Sequence, residues 1–154
     1  MVSKKSSKTK NKNVFRLKLP AESENLDIIR KFISGIAANM GFTEDDIYQI
    51  ELAVDEACAN IINHAYDGHE EGGKEPLINV TVRSKPDRIE ITIADRGIGF
   101  DPQTIQSPDM EAYLRDKRRG GLGVHLIRTL MDDVHFRMKP GVRNEVKMVK
   151  HLSI

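Results

Sequence analysis

Two polar side chains on one predicted helix have types and spacing that suit metal and acid–base chemistry. Glu56 and Asn60 are four residues apart, so an α-helix places them one turn apart on the same face, and Asn63 continues that side. An amide oxygen suits a hard cation such as Mg²⁺, and a carboxylate one turn away can accept a proton from an attacking hydroxyl group. The alternative is an ordinary solvated helix face, although Lys–Glu pairs are more usual there than amides.

An acidic residue closes a predicted strand in which apolar residues alternate with polar ones. Asp95 has the same parity as Ile89, Ile91 and Ile93, and side chains alternate between the two faces of a strand. We therefore expect Asp95 to point toward the apolar, helix-covered face. A buried carboxylate is costly without a donor, and the exocyclic amine of a purine would be a suitable one. The alternative is that the strand has ended and Asp95 caps a glycine turn.

Glycines follow that strand and recur before a later helix. Gly97 and Gly99 permit left-handed backbone and close approach of a flat ligand, although ordinary turn chemistry explains such a pattern more often. The sequence 120–123 precedes or begins a predicted helix, whose free amide groups and positive dipole end favour an anion. A flexible hinge is the alternative there. The basic run 117–119 lies just before it and could screen a triphosphate, although such a run is more often only solvated.

Taken together in this order, the three stretches predict a single nucleotide pocket. They supply a base, a metal ligand, an adenine acceptor and two glycine turns, which points to ATP and to phosphoryl transfer. The sequence contains no GxxxxGK[ST] motif, so a P-loop protein is excluded.

The length of 154 residues favours a single domain that contains all of these motifs. Residues 1–12 contain five lysines and no acid, which predicts a disordered basic tail, and residues 13–154 form the predicted ATP-binding domain. Without the tail lysines, the net charge falls from +1 to about −4. That balance argues against direct nucleic-acid binding through phosphate neutralisation.

Cysteine usage and hydropathy exclude several further classes. Cys58 is the only cysteine, so no intrachain disulfide or zinc cluster is expected, and packing suits it better than nucleophilic chemistry. No apolar run approaches the roughly 20 residues that a membrane helix needs. The expected location is the cytoplasm, without membrane association.

Hydrophobic periodicity predicts the elements that position the motifs. They are a strand at 15–19, helices at 26–40 and 44–66, hairpin strands at 78–82 and 89–93, a helix at 122–131, and strands at 134–138 and 146–148. The polar segment 101–119 is long for a connection and predicts a lid or a disordered loop. This order predicts an α/β (α+β) two-layer sandwich, with an antiparallel or mixed sheet covered by helices on one face.

The three stretches also resemble the sequence boxes of a known superfamily. Residues 51–66 resemble the N box of GHKL ATPases, residues 95–102 are similar to their first glycine box, and residues 120–134 to their second. Residues 141–149 match the closing strands. Within the superfamily the chain most resembles the bacterial anti-sigma-factor serine kinases of the stress-response and sporulation type.

This resemblance implies a Bergerat fold, with a mixed, mostly antiparallel sheet and with ATP held between helices and a lid. Glu56 would be the general base, Asn60 would bind Mg²⁺, and Asp95 would accept a hydrogen bond from adenine. The full set implied for nucleotide binding is Asn60, Asn63, Asp95, Gly97, Gly99, Gly121, Leu122 and Gly123. Two departures are visible. Where the superfamily often has a Gly-Thr pair, residues 141–145 read Gly-Val-Arg-Asn-Glu, and the predicted lid at 101–119 is short.

The resemblance also implies partners and an activity. The substrate would be a serine or threonine on a STAS-type anti-anti-sigma protein, a sigma factor is a possible second partner, and a homodimer is expected. Two other functions stay open. One is a non-catalytic, nucleotide-gated module that sequesters a sigma factor or another regulator. The other is the detached catalytic domain of a histidine kinase, for which the sequence shows no helical phospho-acceptor domain.

Overall fold

Strands and helices follow one another in the predicted order. The structure, a computed structural model, describes residues 13–65, 76–97 and 121–153. Its strands are β1 (Val14–Pro20), β2 (Leu77–Ser84), β3 (Arg88–Asp95), β4 (Asp133–Lys139) and β5 (Arg143–His151). Its α-helices are α1 (Leu26–Met40), α2 (Glu44–Asn60) and α3 (Gly121–Leu130), with a short 3₁₀ turn at Ser23–Asn25 before α1.

The five described strands form one sheet in the order β1-β2-β3-β5-β4. Each pairing is antiparallel, so the parallel component that a mixed sheet allows does not occur among these strands. Alternate residues of β2 and β3 pack with the helices in one core, and Ile78, Ile89 and Ile91 have no exposed surface. Each such isoleucine stabilises the fold by roughly 1.5–3 kcal/mol. The predicted two-layer α+β sandwich is confirmed.

Local signals set the ends of the first two helices. Gly41 follows α1 with φ 100°, a left-handed conformation that glycine adopts without strain. The Thr43 hydroxyl accepts a hydrogen bond from the Asp46 amide at 3.1 Å, as the spacing of these residues predicts for a helix N-terminus. Three acidic residues then favour the positive end of the α2 dipole.

The second helix differs from its prediction beyond Asn60. Periodicity predicted one helix as far as Tyr66, but the α-helix ends at Asn60 and a π-helix spans Ile61–Ala65. Ile61 stays buried and Ile62 half-buried in this segment, so the apolar pattern is satisfied by the wider turn as well. Spacing alone therefore cannot separate the two helix types here.

Several predicted features lie outside the described residues. These are the tail at 1–12, the lid at 101–119 with its basic run, Tyr66, Gly99 and Gly120. Among the residues that the structure describes, no helix is long and apolar enough to cross a membrane.

Candidate functional site

Asp95 ends β3 with its side chain on the inner face of the sheet, as predicted from its parity. Its exposed fraction is 6%, and Ile91 and Ile93 on the same face are buried. One carboxylate oxygen, Oδ1, accepts hydrogen bonds from the Gly97 amide at 2.7 Å and from Asn144 Nδ2 at 3.1 Å. Asp95 therefore does both things that the sequence left open, because it faces the core and also caps the glycine turn.

The turn after Asp95 is fastened to the hairpin between β4 and β5. The Gly97 carbonyl accepts hydrogen bonds from Asn144 Nδ2 at 2.8 Å and from the Gly141 amide at 2.9 Å. Gly141 has φ 76°, a conformation that L-residues with side chains rarely adopt. The hairpin therefore holds the backbone of Gly97 through two hydrogen bonds, which fixes the turn directly after Asp95.

Burial sets the electrostatics of this end of the sheet. It raises the pKa of the Asp95 carboxyl, and the hydrogen bonds from Asn144 and Gly97 oppose that rise. A raised pKa means that the ionised carboxylate lacks part of the solvation that water would give. A ligand with a hydrogen-bond donor, such as the exocyclic amine of a purine, would supply that missing stabilisation.

Glu56 and Asn60 lie on α2, one helical turn apart, and both are half-buried. Burial raises the pKa of the Glu56 carboxyl, and the negative charge of Asp55 raises it further. A carboxylate with a raised pKa is a stronger proton acceptor. Asn63 lies in the π-helix and is exposed, so the α-helical spacing that predicted it on the same face does not extend to it.

Contacts with α1 set the rotation of α2. Arg30 donates to the Asp55 carboxylate at 3.0 Å, and the Ser34 hydroxyl donates to Glu51 at 2.6 Å. These contacts turn Glu51 and Asp55 toward α1. Glu56 follows Asp55 by about 100° around the helix and so lies on the adjacent face, outside this set of contacts.

The third helix lies in the same layer. α3 begins at Gly121, includes Leu122 and Gly123, and packs against α2. Its carboxyl end is held by Lys150, whose ammonium donates to the Leu130 carbonyl at 2.6 Å and to the side-chain oxygen of Gln49 on α2. The predicted start of this helix in the second glycine box is confirmed.

The amide oxygen of Asn60 suits a magnesium ion whose other ligands are mainly phosphate oxygens and waters. In the ranges that the structure describes, His, Cys, Asp and Glu form no group of three that could hold a metal ion. Mg²⁺ keeps several waters and phosphate oxygens and needs only one or two protein oxygens. The half-buried amide of Asn60 can provide one of them.

Cys58 is buried and its thiol is expected to be unreactive. Burial, and secondarily the charge of Asp55, raises the pKa of Cys58 to about 12 from 9.0. The thiolate is the reactive form, so its fraction near pH 8 falls roughly 1000-fold. We predict that a thiol reagent labels the native protein at least about 100-fold more slowly than the urea-unfolded protein. Equal rates would show that Cys58 is accessible.

Sequence reasoning missed one member of this site. In the sequence, Asn144 stands out only as part of the segment 141–145, whereas the structure pairs it directly with Asp95 on the neighbouring strand. The parity of Val146 and Met148 on β5 places Asn144 on the inner face. The pairing of β5 with β3 is the information that the sequence did not provide.

Comparison with known proteins shows which family the chain resembles. Residues 19–150 match the family model described as the histidine kinase-like ATPase domain. The serine-protein kinase RsbW of Bacillus licheniformis is 40% identical over 89% of this chain and 84% of its own length. The serine-protein kinase RsbW of Bacillus subtilis is 36% identical over 93% of this chain and 88% of its own length.

Two solved structures share the fold at low identity. One is the SiaB–SiaC complex from Pseudomonas aeruginosa, with TM-score 0.64, 14% identity, and coverage of 96% of this chain and 95% of that chain. The other contains the RsbU and RsbW domains of a Mycobacterium tuberculosis protein, with TM-score 0.64 and 17% identity. It is matched over 92% of this chain, which spans 33% of that longer chain. With residues 19–150 matched and relatives similar over most of their length, the chain belongs to the histidine kinase-like ATPase domain family.

Proposed function

We propose that this chain is an ATP-dependent serine/threonine-protein kinase that acts as an anti-sigma factor by phosphorylating a STAS-type anti-anti-sigma protein. The observation that carries the proposal is Glu56, a half-buried carboxylate with a raised pKa, one turn from Asn60. Membership of an ATPase-domain family and similarity to serine-protein kinases support it. A protein that only binds a nucleotide has no need of such a base.

The proposed roles follow from the chemistry of each group. Asp95 accepts a hydrogen bond from adenine, and the two glycine boxes approach the base and the phosphates with their backbones. Asn60 contributes an oxygen to Mg²⁺, which neutralises charge on the phosphates when it is bound.

Glu56 acts on the partner protein. Its carboxylate takes the proton of the serine or threonine hydroxyl while the oxygen forms a bond to the γ-phosphorus. The bond between the γ-phosphorus and the bridging oxygen breaks, so that ADP leaves with the electron pair. The products are the phosphorylated partner, ADP and a protonated Glu56, which returns its proton to water.

Labelled ATP with Mg²⁺ tests the proposal directly. The full chain is incubated with STAS proteins encoded beside it, and a Glu56→Ala chain serves as the comparison. Labelling of a serine or threonine that depends on Glu56 supports the kinase. If ATP binds and a sigma factor is captured without any phosphate transfer, the non-catalytic nucleotide-gated module replaces it. Phosphate on a histidine would instead favour the histidine-kinase function.

The same proposal covers assembly and location. We propose a cytoplasmic homodimer that holds a sigma factor when the STAS partner is phosphorylated. The size of the complexes formed with each partner, measured by light scattering in the same experiment, distinguishes a dimer from a monomer.

A second variant tests whether Glu56 sets the pH dependence. The negative charge of Asp55 is one cause of the raised pKa of Glu56, so Asp55→Asn lowers that pKa. Since the base acts when ionised, we predict that the acid limb of kcat/KM moves to lower pH, with less than about a two-fold change at neutral pH.

The matched control is Asp27→Asn. Asp27 is another carboxylate partner of Arg30, at 3.2 Å, but it is not among the groups that shift the pKa of Glu56. Its variant should leave the acid limb in place. If the acid limb of the kcat/KM profile stays in place in Asp55→Asn, or moves to higher pH, then a group other than Glu56 causes that limb.

A further inference from the structure

Asn144 is a polar side chain at the core of the candidate site with one function still unassigned. Its exposed fraction is 1%, and on β5 it lies directly opposite Asp95 of β3. Its side chain points inward like those of Val146 and Met148. Buried amides at such positions need partners for both the nitrogen and the oxygen.

The amide nitrogen of Asn144 has its partners. Nδ2 donates to the Asp95 carboxylate at 3.1 Å and to the Gly97 carbonyl at 2.8 Å. These two acceptors fix the orientation of the amide, because a rotated amide would set its oxygen against a carboxylate and a carbonyl. Asn144 therefore has no donor left to offer a ligand.

The amide oxygen of Asn144, by contrast, has no hydrogen-bond partner in the described part of the chain. Among the residues that the structure describes, Asn144 Oδ1 is the one buried side-chain nitrogen or oxygen that lacks a hydrogen-bond partner. It lies beside Asp95, whose Oδ1 already accepts two hydrogen bonds. Asn144 Oδ1 and the Asp95 carboxylate therefore place two acceptors side by side at the end of β3.

We propose that Asn144 is a base-selecting residue of the nucleotide site, with Oδ1 accepting a hydrogen bond from the 6-amino group of adenine beside Asp95. This inference rests on the ATP site of the proposed function. Adenine presents an amine at position 6, whereas guanine presents a carbonyl oxygen there, which would meet two acceptors without a proton between them. Selection against guanine follows from that mismatch.

An amide whose nitrogen is held by two acceptors discriminates more strictly between bases than a hydroxyl group would. A threonine hydroxyl is both a donor and an acceptor, so it can rotate to suit either base. The Asn144 amide cannot adapt in this way, because Asp95 and Gly97 hold its nitrogen. Asparagine at this position therefore gives a stricter preference for adenine than threonine would.

Binding measurements on the full chain test the proposal without any catalytic readout. Dissociation constants are measured by calorimetry for ATP, GTP and purine riboside triphosphate, which lacks the 6-amino group. In Asn144→Leu we expect ATP affinity to fall about 5–20-fold and purine riboside triphosphate affinity to change less than about two-fold. Glu145→Gln is the matched control, since the neighbouring side chain points to the opposite sheet face, and should change neither.

A double variant separates direct contact from an effect through Asp95. In an Asp95→Ala background, adding Asn144→Leu should still reduce the preference for ATP over purine riboside triphosphate by about 2–10-fold. No further reduction would mean that Asn144 only positions Asp95, and would overturn the proposal. Thermal unfolding of each variant checks that the chain is folded.

A milder variant keeps the test decisive if removal of the amide unfolds the chain. Asn144→Thr introduces a rotatable hydroxyl, so GTP affinity relative to ATP should rise at least about three-fold. An unchanged ratio overturns base selection by Asn144. The outcome is independent of phosphate transfer: a chain that binds ATP with the expected preferences but labels no partner loses the kinase function and keeps this inference.

Discussion

Replacing Glu56 with alanine is expected to reduce kcat for phosphate transfer to the STAS partner by about 10²–10⁴. The affinity for ATP should stay within about three-fold of the unaltered chain. The physical reason is that general-base help acts only in the transition state, where the hydroxyl proton is leaving. An interaction of that kind changes kcat without changing ground-state binding.

Single-turnover transfer from labelled ATP, with the enzyme in excess, measures the chemical step. Glu51→Gln is the matched control on the same helix. Its carboxylate accepts a hydrogen bond from Ser34 of α1 at 2.6 Å, and so it lies away from the proposed site. We expect that variant to transfer phosphate at close to the original rate.

The Glu56→Gln variant distinguishes proton transfer by Glu56 from a positioning role. Glutamine keeps the size of the side chain and its half-buried position but cannot take a proton at neutral pH. A loss as large as that of alanine supports proton transfer. If Glu56→Gln keeps near-original activity, Glu56 holds the partner hydroxyl or the phosphates in place and is not the base.

Features with a local period or a local motif were predictable from the sequence. The inward direction of Asp95 follows from its parity with Ile93, because a strand of fixed period carries that parity to its last residue. Thr43 marks the start of α2, and Gly41 marks the end of α1, because each meets a backbone requirement of a helix end.

Features that depend on distant parts of the chain were not predictable. Asn144 meets Asp95 although 49 residues separate them, and only the placement of β5 between β3 and β4 brings them together. Nothing in the local sequence marks Lys150, yet it is 7% exposed and joins α2 to the end of α3. Alternation identifies strands, whereas strand order decides which side chains meet.

The π-helix shows a second limit of predicting structure from the sequence. Ile61 is buried in the wider turn as it would be in an α-helix, so the apolar pattern carries no information about the change. The predicted place of Asn63 beside Asn60 rested on an α-helical spacing that ends at Asn60, so the role of Asn63 in nucleotide binding stays a prediction. Glu56 and Asn60 precede the change and keep their α-helical spacing.

Replacing Asp95 with alanine is expected to weaken ATP binding by about 10–150-fold, because a hydrogen bond to a charged group is worth about 1.5–3 kcal/mol. The affinity for purine riboside triphosphate, which has no 6-amino group, should change far less. Protonation has a similar effect: burial raises the pKa of Asp95, so affinity for ATP should fall as the pH drops through that raised value. Asp95→Ala should remove this dependence.

The folded state should tolerate the Asp95→Ala change. The Gly97 amide loses its partner, which costs about 1–3 kcal/mol, but the buried carboxylate that disappears was itself incompletely solvated. The Asn144 amide keeps its bond to the Gly97 carbonyl at 2.8 Å. Asp87→Ala, in the exposed turn that precedes β3, is the control for loss of one carboxylate. If calorimetry shows ATP affinity unchanged in Asp95→Ala while Asp87→Ala is also unchanged, adenine does not bind at the end of β3, and the nucleotide site must lie elsewhere in the fold.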